Sequence, residues 1–232
     1  MFRDRREAGE RLVERLEAHR TEHPVVVGLP RGGVEVAARV AEGLAAALDI
    51  IVVRKLGCPW QPELGIGAIA EGGIRILNDS LVADLRIGPA DLAAVTEREQ
   101  DELERRVARY RVGRPAVELA GRTVIIVDDG LATGYTARAA IEAVRAAGAG
   151  RVILAVPVAP AESVAALRAV ADEVIALETP PAFFAIGQFY DDFSQLADGN
   201  VVAFLEAADR RAGLAAEAGP EVPAAPRPRR QP

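Results

Sequence analysis

Two adjacent carboxylates, Asp128 and Asp129, follow an unbroken apolar run, Val124-Ile125-Ile126-Val127, and precede Gly130, Leu131, Ala132, Thr133, Gly134, Tyr135 and Thr136. A lone Asp after a strand ordinarily caps the next helix. Two in a row, ahead of a glycine–threonine turn, ask for a ligand. Residues 130–136 offer successive backbone N–H groups at a helix N-terminus together with two threonine hydroxyls, which suits a phosphate. The carboxylates can accept hydrogen bonds from neighbouring hydroxyls, so acid pair and cradle together point to a sugar phosphate. A Walker A loop is excluded, because G-x-x-x-x-G-K-[ST] occurs nowhere in the chain. A Walker B reading of residues 124–129 falls with it. A response-regulator pocket fails as well: its acidic pair belongs at the first strand, and here it follows more than half the chain.

Two other polar turns end short apolar runs. PVVVGL, residues 24–29, leads into Pro30-Arg31-Gly32-Gly33. Glycines there let backbone N–H groups approach an anion, and Arg31 supplies a bidentate fork. Residues 50–53 end in Arg54-Lys55-Leu56-Gly57. Lys55 is the only lysine among 28 Lys and Arg residues, a compact, flexible charge where arginine fills every other basic position.

Secondary-structure elements must hold these turns together. Residues 4–20 have the spacing of an amphipathic helix, and Val36, Val40, Leu44 and Leu48 predict a second helix over 34–48. CPWQPEL, residues 58–64, reads as irregular, and residues 66–70 and 74–77 as a hairpin around Glu71-Gly72-Gly73. Gly88-Pro89 opens a long charged helix to about Arg111, its charges forming a solvated face. Two strand–helix units follow, 123–127 with 134–147 and 151–157 with 160–171, and residues 174–177 close the sheet. This alternation implies an α/β fold with a mostly parallel central sheet flanked by helices. Ligands in such folds bind outside the carboxyl ends of the strands. Right-handed connections are expected to set the first two strands beside the one that carries the aspartates. One domain is expected over residues 1–212, with a core at about 24–178 and a hood made by the N-terminal helix and residues 179–200. Residues 213–232, rich in Ala, Pro, Glu and Arg, read as a disordered tail.

Composition narrows the class. The 232 residues are 50% hydrophobic and 27% charged, enough to build a sizeable core. A net charge of -6 lacks the electrostatic footprint of a nucleic-acid binder. Cys58, the single cysteine, rules out an internal disulfide framework and a cysteine-based zinc cluster. The charged N-terminus does not resemble a signal peptide, and no run is long enough to span a membrane. A cytoplasmic protein is expected. His19 and His23 have no partners at ligand spacing and are expected at the surface.

The segment VIIVDDGLATGYT resembles, position by position, the phosphoribosyl pyrophosphate (PRPP) motif of the type I phosphoribosyltransferases. The resemblance implies that Asp128 and Asp129 hold the ribose 2- and 3-hydroxyls, and that residues 130–136 hold the 5-phosphate. Pro30, Arg31, Gly32 and Gly33 resemble the family's pyrophosphate loop. Arg54 and Lys55 resemble its basic pair ahead of a mobile loop, here residues 57–65, with Trp60 as a candidate shield. Phe184-Ala185-Ile186-Gly187-Gln188-Phe189-Tyr190-Asp191-Asp192 is similar to the hood of purine members. There an aromatic residue, Phe184 or Phe189, stacks on the base, and an acid, Asp191 or Asp192, meets magnesium-bound pyrophosphate. The opening Phe2-Arg3-Asp4-Arg5 resembles a subgroup of bacterial phosphoribosyltransferases whose acceptor is not settled.

The resemblance implies transfer of a phosphoribosyl group from PRPP to a nitrogen acceptor, a nucleobase, with Mg²⁺ as cofactor and a place in nucleotide metabolism. Asp128, Asp129, Lys55 and Arg31 would carry the catalysis. Mg²⁺ would be held mainly through PRPP and water, with Asp128, Asp129 and Asp191 as candidate carboxylates. The hood lacks the lysine that reads 6-oxopurines. A homodimer is the expected assembly, with neither nucleic acid nor membrane as partner. The alternative is a PRPP- or nucleotide-sensing regulator without turnover.

Overall fold

The computed structural model describes residues 1–218. In chain order the elements are α1 (Arg5–Leu16), β1 (Val25–Gly28), α2 (Gly32–Leu44), β2 (Ala47–Ile50), β3 (Val53–Cys58), β4 (Gln61–Ala70), β5 (Ile74–Leu77), α3 (Asp79–Asp84), α4 (Pro89–Tyr110), β6 (Thr123–Val127), α5 (Tyr135–Ala146), β7 (Arg151–Val158), α6 (Ala161–Leu167), β8 (Glu173–Glu178) and α7 (Asp198–Ala218). Five strands form a wholly parallel sheet in the order β2-β1-β6-β7-β8. The expected α/β class holds.

Alternation along these strands builds two cores. Val26, Ile125, Val127 and Ile153 face α1, α2 and α7, where they meet Leu12, Leu16, Val40 and Leu205. Val25, Val27, Val124 and Ile126 face α5 and α6, against Ala140, Ile141, Val144 and Leu167. Both faces are therefore buried, which is why these strands read as continuous apolar runs. The chain runs from β1 outward to β2 on one side, while β6 leads to β7 and β8 on the other. The order thus reverses between β1 and β6, which makes the carboxyl ends of these two strands the switch point where such sheets bind ligands.

The remaining strands, β3-β4-β5, form a separate antiparallel sheet. Its Val53, Ala68, Ala70 and Ile76 pack toward α5. Its other face sets Leu56, Ile66 and Ile69 in the core that contains Val95 and Leu103 of α4.

Several expectations change. The helix expected to reach Leu48 stops at Leu44, because Ala45 turns left-handed (φ 52°) and its N–H bonds back to Ala41 and Glu42 carbonyls. Leu48 is a strand residue whose side chain happens to continue the helical spacing. The second parallel strand is therefore 47–50, not 50–53. It pairs with β1 alone, so it does not neighbour the aspartate-bearing β6. The irregular segment 58–64 is instead the tip and first half of the β3–β4 hairpin, where Cys58 pairs with Gln61 across residues 59 and 60. Its prolines hide the start of β4, which carries the extra residues of two register shifts against β3.

His19, expected at the surface, is buried between Glu22 (2.8 Å) and Glu173 (3.3 Å); His23 is exposed. Residues 198–200, given to the hood, open α7, and 213–218, given to the tail, continue it. The rest of that tail, 219–232, lies outside the described residues. Leu12 and Leu16 put α1 in the main core rather than in the hood.

Candidate functional site

β6 is apolar on both faces up to Val127 and ends there at the carboxyl edge of the sheet, where Asp128 and Asp129 follow. The neighbouring β1 ends in register with it, Gly28 opposite Val127, and Leu29 N donates to the Val127 carbonyl at 3.0 Å. This brings the turn at 30–33 against the aspartates. A Cβ on Gly32 would lie 1.9 Å from Asp129 Oδ2, and one on Gly33 would lie 2.8 Å from Asp128 Oδ1. Only glycines leave room for the acid pair here. The Pro30–Arg31 peptide is cis. Arg31 precedes α2, is half-buried, and forms no ion pair among the described residues.

The acids differ in surroundings. Asp128 Oδ1 accepts the Asp129 backbone N–H at 2.9 Å. Burial at the strand end, followed by the charge of Asp129, pushes the Asp128 carboxyl well above its ordinary range. Burial also raises Asp129, against the opposing pull of Arg5. Arg5 Nε donates to Asp129 Oδ2 at 2.8 Å. Tyr190 Oη donates to the Asp129 carbonyl at 2.7 Å, and burial drives its hydroxyl pKa far up. Glu35, in the first turn of α2, is also raised by burial, with Arg5 pulling it back.

Beyond the acids, Gly130 lies under Ile186 of the hood, 2.6 Å from where its Cβ would be. Leu131 is buried, its N–H bonded to the Val158 carbonyl at 2.9 Å, which fixes the start of the loop to β7. Ser163 Oγ holds the Ala132 carbonyl at 2.7 Å. Ala132 and Thr133 are exposed, and Gly134 starts α5 at φ 77° with no side chain capping the helix. Among the described residues no side chain caps the first N–H groups of α5, beside Tyr135 and Thr136, which are half-buried.

The basic pair divides. Arg54 Nε and Nη2 both donate to Glu99 Oε2 of α4, at 3.0 and 2.6 Å. That spends its charge on the face away from α5. Lys55 shares the other face with Val53 and Ala68, toward α5, and its Nζ donates to the Glu63 carbonyl at 3.0 Å across the hairpin. Cys58 is buried and Trp60 exposed near the hairpin tip.

In the hood, Gln188 Oε1 accepts the N–H groups of Phe184 and Ala185. Phe184 is 89% exposed, while Phe189 stacks on Phe183 with centroids 5.4 Å apart. Of Phe183, Phe184 and Phe189, only Phe184 is exposed. Asp191 is exposed, and its N–H bonds to the Phe2 carbonyl; Asp192 turns its carboxylate to Ser194. No group of three or more His, Cys, Asp or Glu gathers among the described residues. A hard cation that keeps most of its shell as water and ligand oxygens still fits one or two of these carboxylates.

Sequence reasoning missed Arg5 and the role of Tyr190. In the sequence Arg5 reads as one more charge on an amphipathic helix, with no spacing that marks it.

A parallel sheet with an acid pair, a glycine–threonine turn and a glycine loop gathered at the switch point has the layout of an α/β ligand-binding protein. The phosphoribosyl transferase domain model matches residues 4–194, and the chain belongs to that family. A protein of Mycobacterium tuberculosis, provisionally named a phosphoribosyl transferase and recorded from two strains, is 51% identical over 210 residues. Those residues are 90% of this chain but 47% of that protein, so the chain spans about half the length of these relatives. A crystal structure of a Thermus thermophilus protein is 45% identical with a TM-score of 0.74, covering 88% of this chain and 97% of that one. No described helix is long and apolar enough to cross a membrane.

Proposed function

We propose that the protein transfers a phosphoribosyl group from PRPP to a nitrogen acceptor, a nucleobase, with release of pyrophosphate. The observation that carries this reading is the contact of the 30–33 turn with Asp128 and Asp129, one strand apart, while the phosphate turn continues from the same acids. The 5-phosphate would take the N–H groups of 132–136 and the Thr133 and Thr136 hydroxyls. The ribose diol would bond to Asp128 and Asp129. Arg31, Gly32 and Gly33, with Lys55 from the hairpin, would receive the pyrophosphate.

Such a transfer breaks the bond from the anomeric carbon to pyrophosphate through an oxocarbenium-like state and forms a bond to the acceptor nitrogen. The electron pair leaves with pyrophosphate, and the nitrogen gives up a proton. No covalent nucleophile is needed. The chain's own work is to hold the ribose, gather charge at the leaving group and exclude water. Mg²⁺, supported by Asp128 or Asp191, would add Lewis acidity at the pyrophosphate oxygens. Phe184 would stack on the acceptor, and the absence of a hood lysine disfavours 6-oxopurines.

The test is incubation with PRPP, Mg²⁺ and a panel of nucleobases and amines, following pyrophosphate release. Release with one acceptor class supports transfer. Tight PRPP binding with no release from any acceptor would favour the sensing role instead.

A further inference from the structure

We propose that Arg5 is a positioning residue that locks the Asp129 carboxylate to the hood, so that the ribose-holding acid and the segment covering the acceptor are set by one side chain. The inference rests on the phosphoribosyl reading of the site. Arg5 opens α1, yet only 7% of it is exposed. Its Nε donates to Asp129 Oδ2 at 2.8 Å, and its Nη1 donates to the Ser194 carbonyl at 2.9 Å. The guanidinium carbon also stands 4.0 Å from the centroid of the Phe193 ring. One cation thus bonds the end of β6 and the far end of the hood at once.

The same two parts are joined a second time. Phe2 pairs with Tyr190 as a parallel bridge, Asp191 and Asp192 donate to the carbonyls of Phe2 and Arg3, and Tyr190 Oη reaches the Asp129 carbonyl. The residues just before α1 therefore form a strap along the hood, with Arg5 as its pin into the acid pair. Asp4 fixes the pin's origin by capping α1, its Oδ1 accepting Glu7 N–H at 2.8 Å.

Arg5 is a brace and not a plug. Its fork is split between Asp129 and Ser194, so Arg5 itself engages only one Asp129 oxygen. Withdrawal of Arg5 would strand a buried cation and a buried carboxylate together, a costly pair to separate. A ligand diol therefore meets Asp129 with Arg5 in place. Gly32 completes the device, since a Cβ there would fall 2.9 Å from Arg5 Nε as well as on Asp129.

The experiment compares wild type, Arg5→Gln and Arg5→Lys in two arms. In the ligand-free arm, hydrogen exchange is read peptide by peptide. Arg5→Gln should speed exchange over residues 186–194 and leave β7 and α5 as protected as in wild type; unchanged protection of 186–194 would overturn the inference whatever the site binds. In the ligand arm, calorimetry measures ribose 5-phosphate and inorganic phosphate. Loss of a charge-assisted contact should weaken ribose 5-phosphate about tenfold or more, while inorganic phosphate binds within about twofold of wild type. Arg5→Lys should restore protection only in part, because one ammonium cannot serve both acceptors. Equal loss for both ligands would reduce Arg5 to a general structural residue. Wild-type protein that binds no ribose 5-phosphate would sink the phosphoribosyl reading, with the exchange arm still deciding whether Arg5 pins the hood.

Discussion

Asp128 is the residue where function and stability pull apart. Its carboxyl is raised by burial and by Asp129, so the folded state holds that proton more tightly than the unfolded chain does. The stability it contributes is full below the ordinary value of 3.8 and is lost as pH rises through the raised one. Asp128→Asn should therefore melt at a higher temperature than wild type at pH 7, with the gap closing toward pH 3; a lower melting point at pH 7 would contradict the buried-charge account. Asp128→Asn combined with Asp129→Asn should fold and lose PRPP affinity in calorimetry, and unchanged affinity would remove the acids from the site. Thr133→Val keeps the volume of an exposed cradle residue and deletes one hydroxyl. It should weaken ribose 5-phosphate by about 1–3 kcal/mol if that hydroxyl meets a charged phosphate, and leave pyrophosphate binding alone.

At the scale of elements, the hairpin β3–β4 decides which basic residue can serve the ligand. A strand alternates its faces, so adjacent Arg54 and Lys55 must part. Arg54 goes to Glu99 on α4, and Lys55 faces the α5 side. The family resemblance offered both as pyrophosphate ligands; the pairing leaves Lys55 as the available one. Its link to Glu63 is exposed and weak, hence easily exchanged for a phosphate. Lys55→Ala should lower pyrophosphate affinity clearly more than ribose 5-phosphate affinity in the same calorimeter. The reverse pattern would move Lys55 to the other end of the ligand. β2 does not neighbour β6, so that assignment does not rest on the parallel sheet. It depends on a second sheet seated against α5.

Across the whole molecule, α7 returns the chain to the core after the hood. Val201 and Leu205 are fully buried against the face that holds α2, and Tyr110 Oη donates to Asp198 at 2.7 Å, tying α4 to the start of α7. Arg114 and Arg111 similarly clamp the buried Asp49 of β2, at 2.7 and 3.2 Å. Residues after the hood are therefore part of the fold and no mere extension of it. Leu205→Ala should cost about 2–5 kcal/mol by leaving a cavity. Chemical denaturation with an unchanged midpoint would show that α7 is dispensable.

What the sequence determined by itself was local and periodic. Residues 124–136 announce a strand, an acid pair and a helix start, because both faces of β6 are buried and a polar residue can appear only where the strand ends. The parallel α/β class followed from the same logic repeated along the chain. Tertiary structure alone decided the rest. Leu48 fits a helix by spacing and a strand by position, and Ala45 turning left-handed settles it. His19 finds two carboxylates, one of them, Glu173, in a strand near the far end of the fold's chain order. Arg5 carries no local mark of its role, since its acceptors, Asp129 and Ser194, lie 124 and 189 positions away. A side chain's partners across such distances are fixed by packing, and no periodicity within its own helix records them.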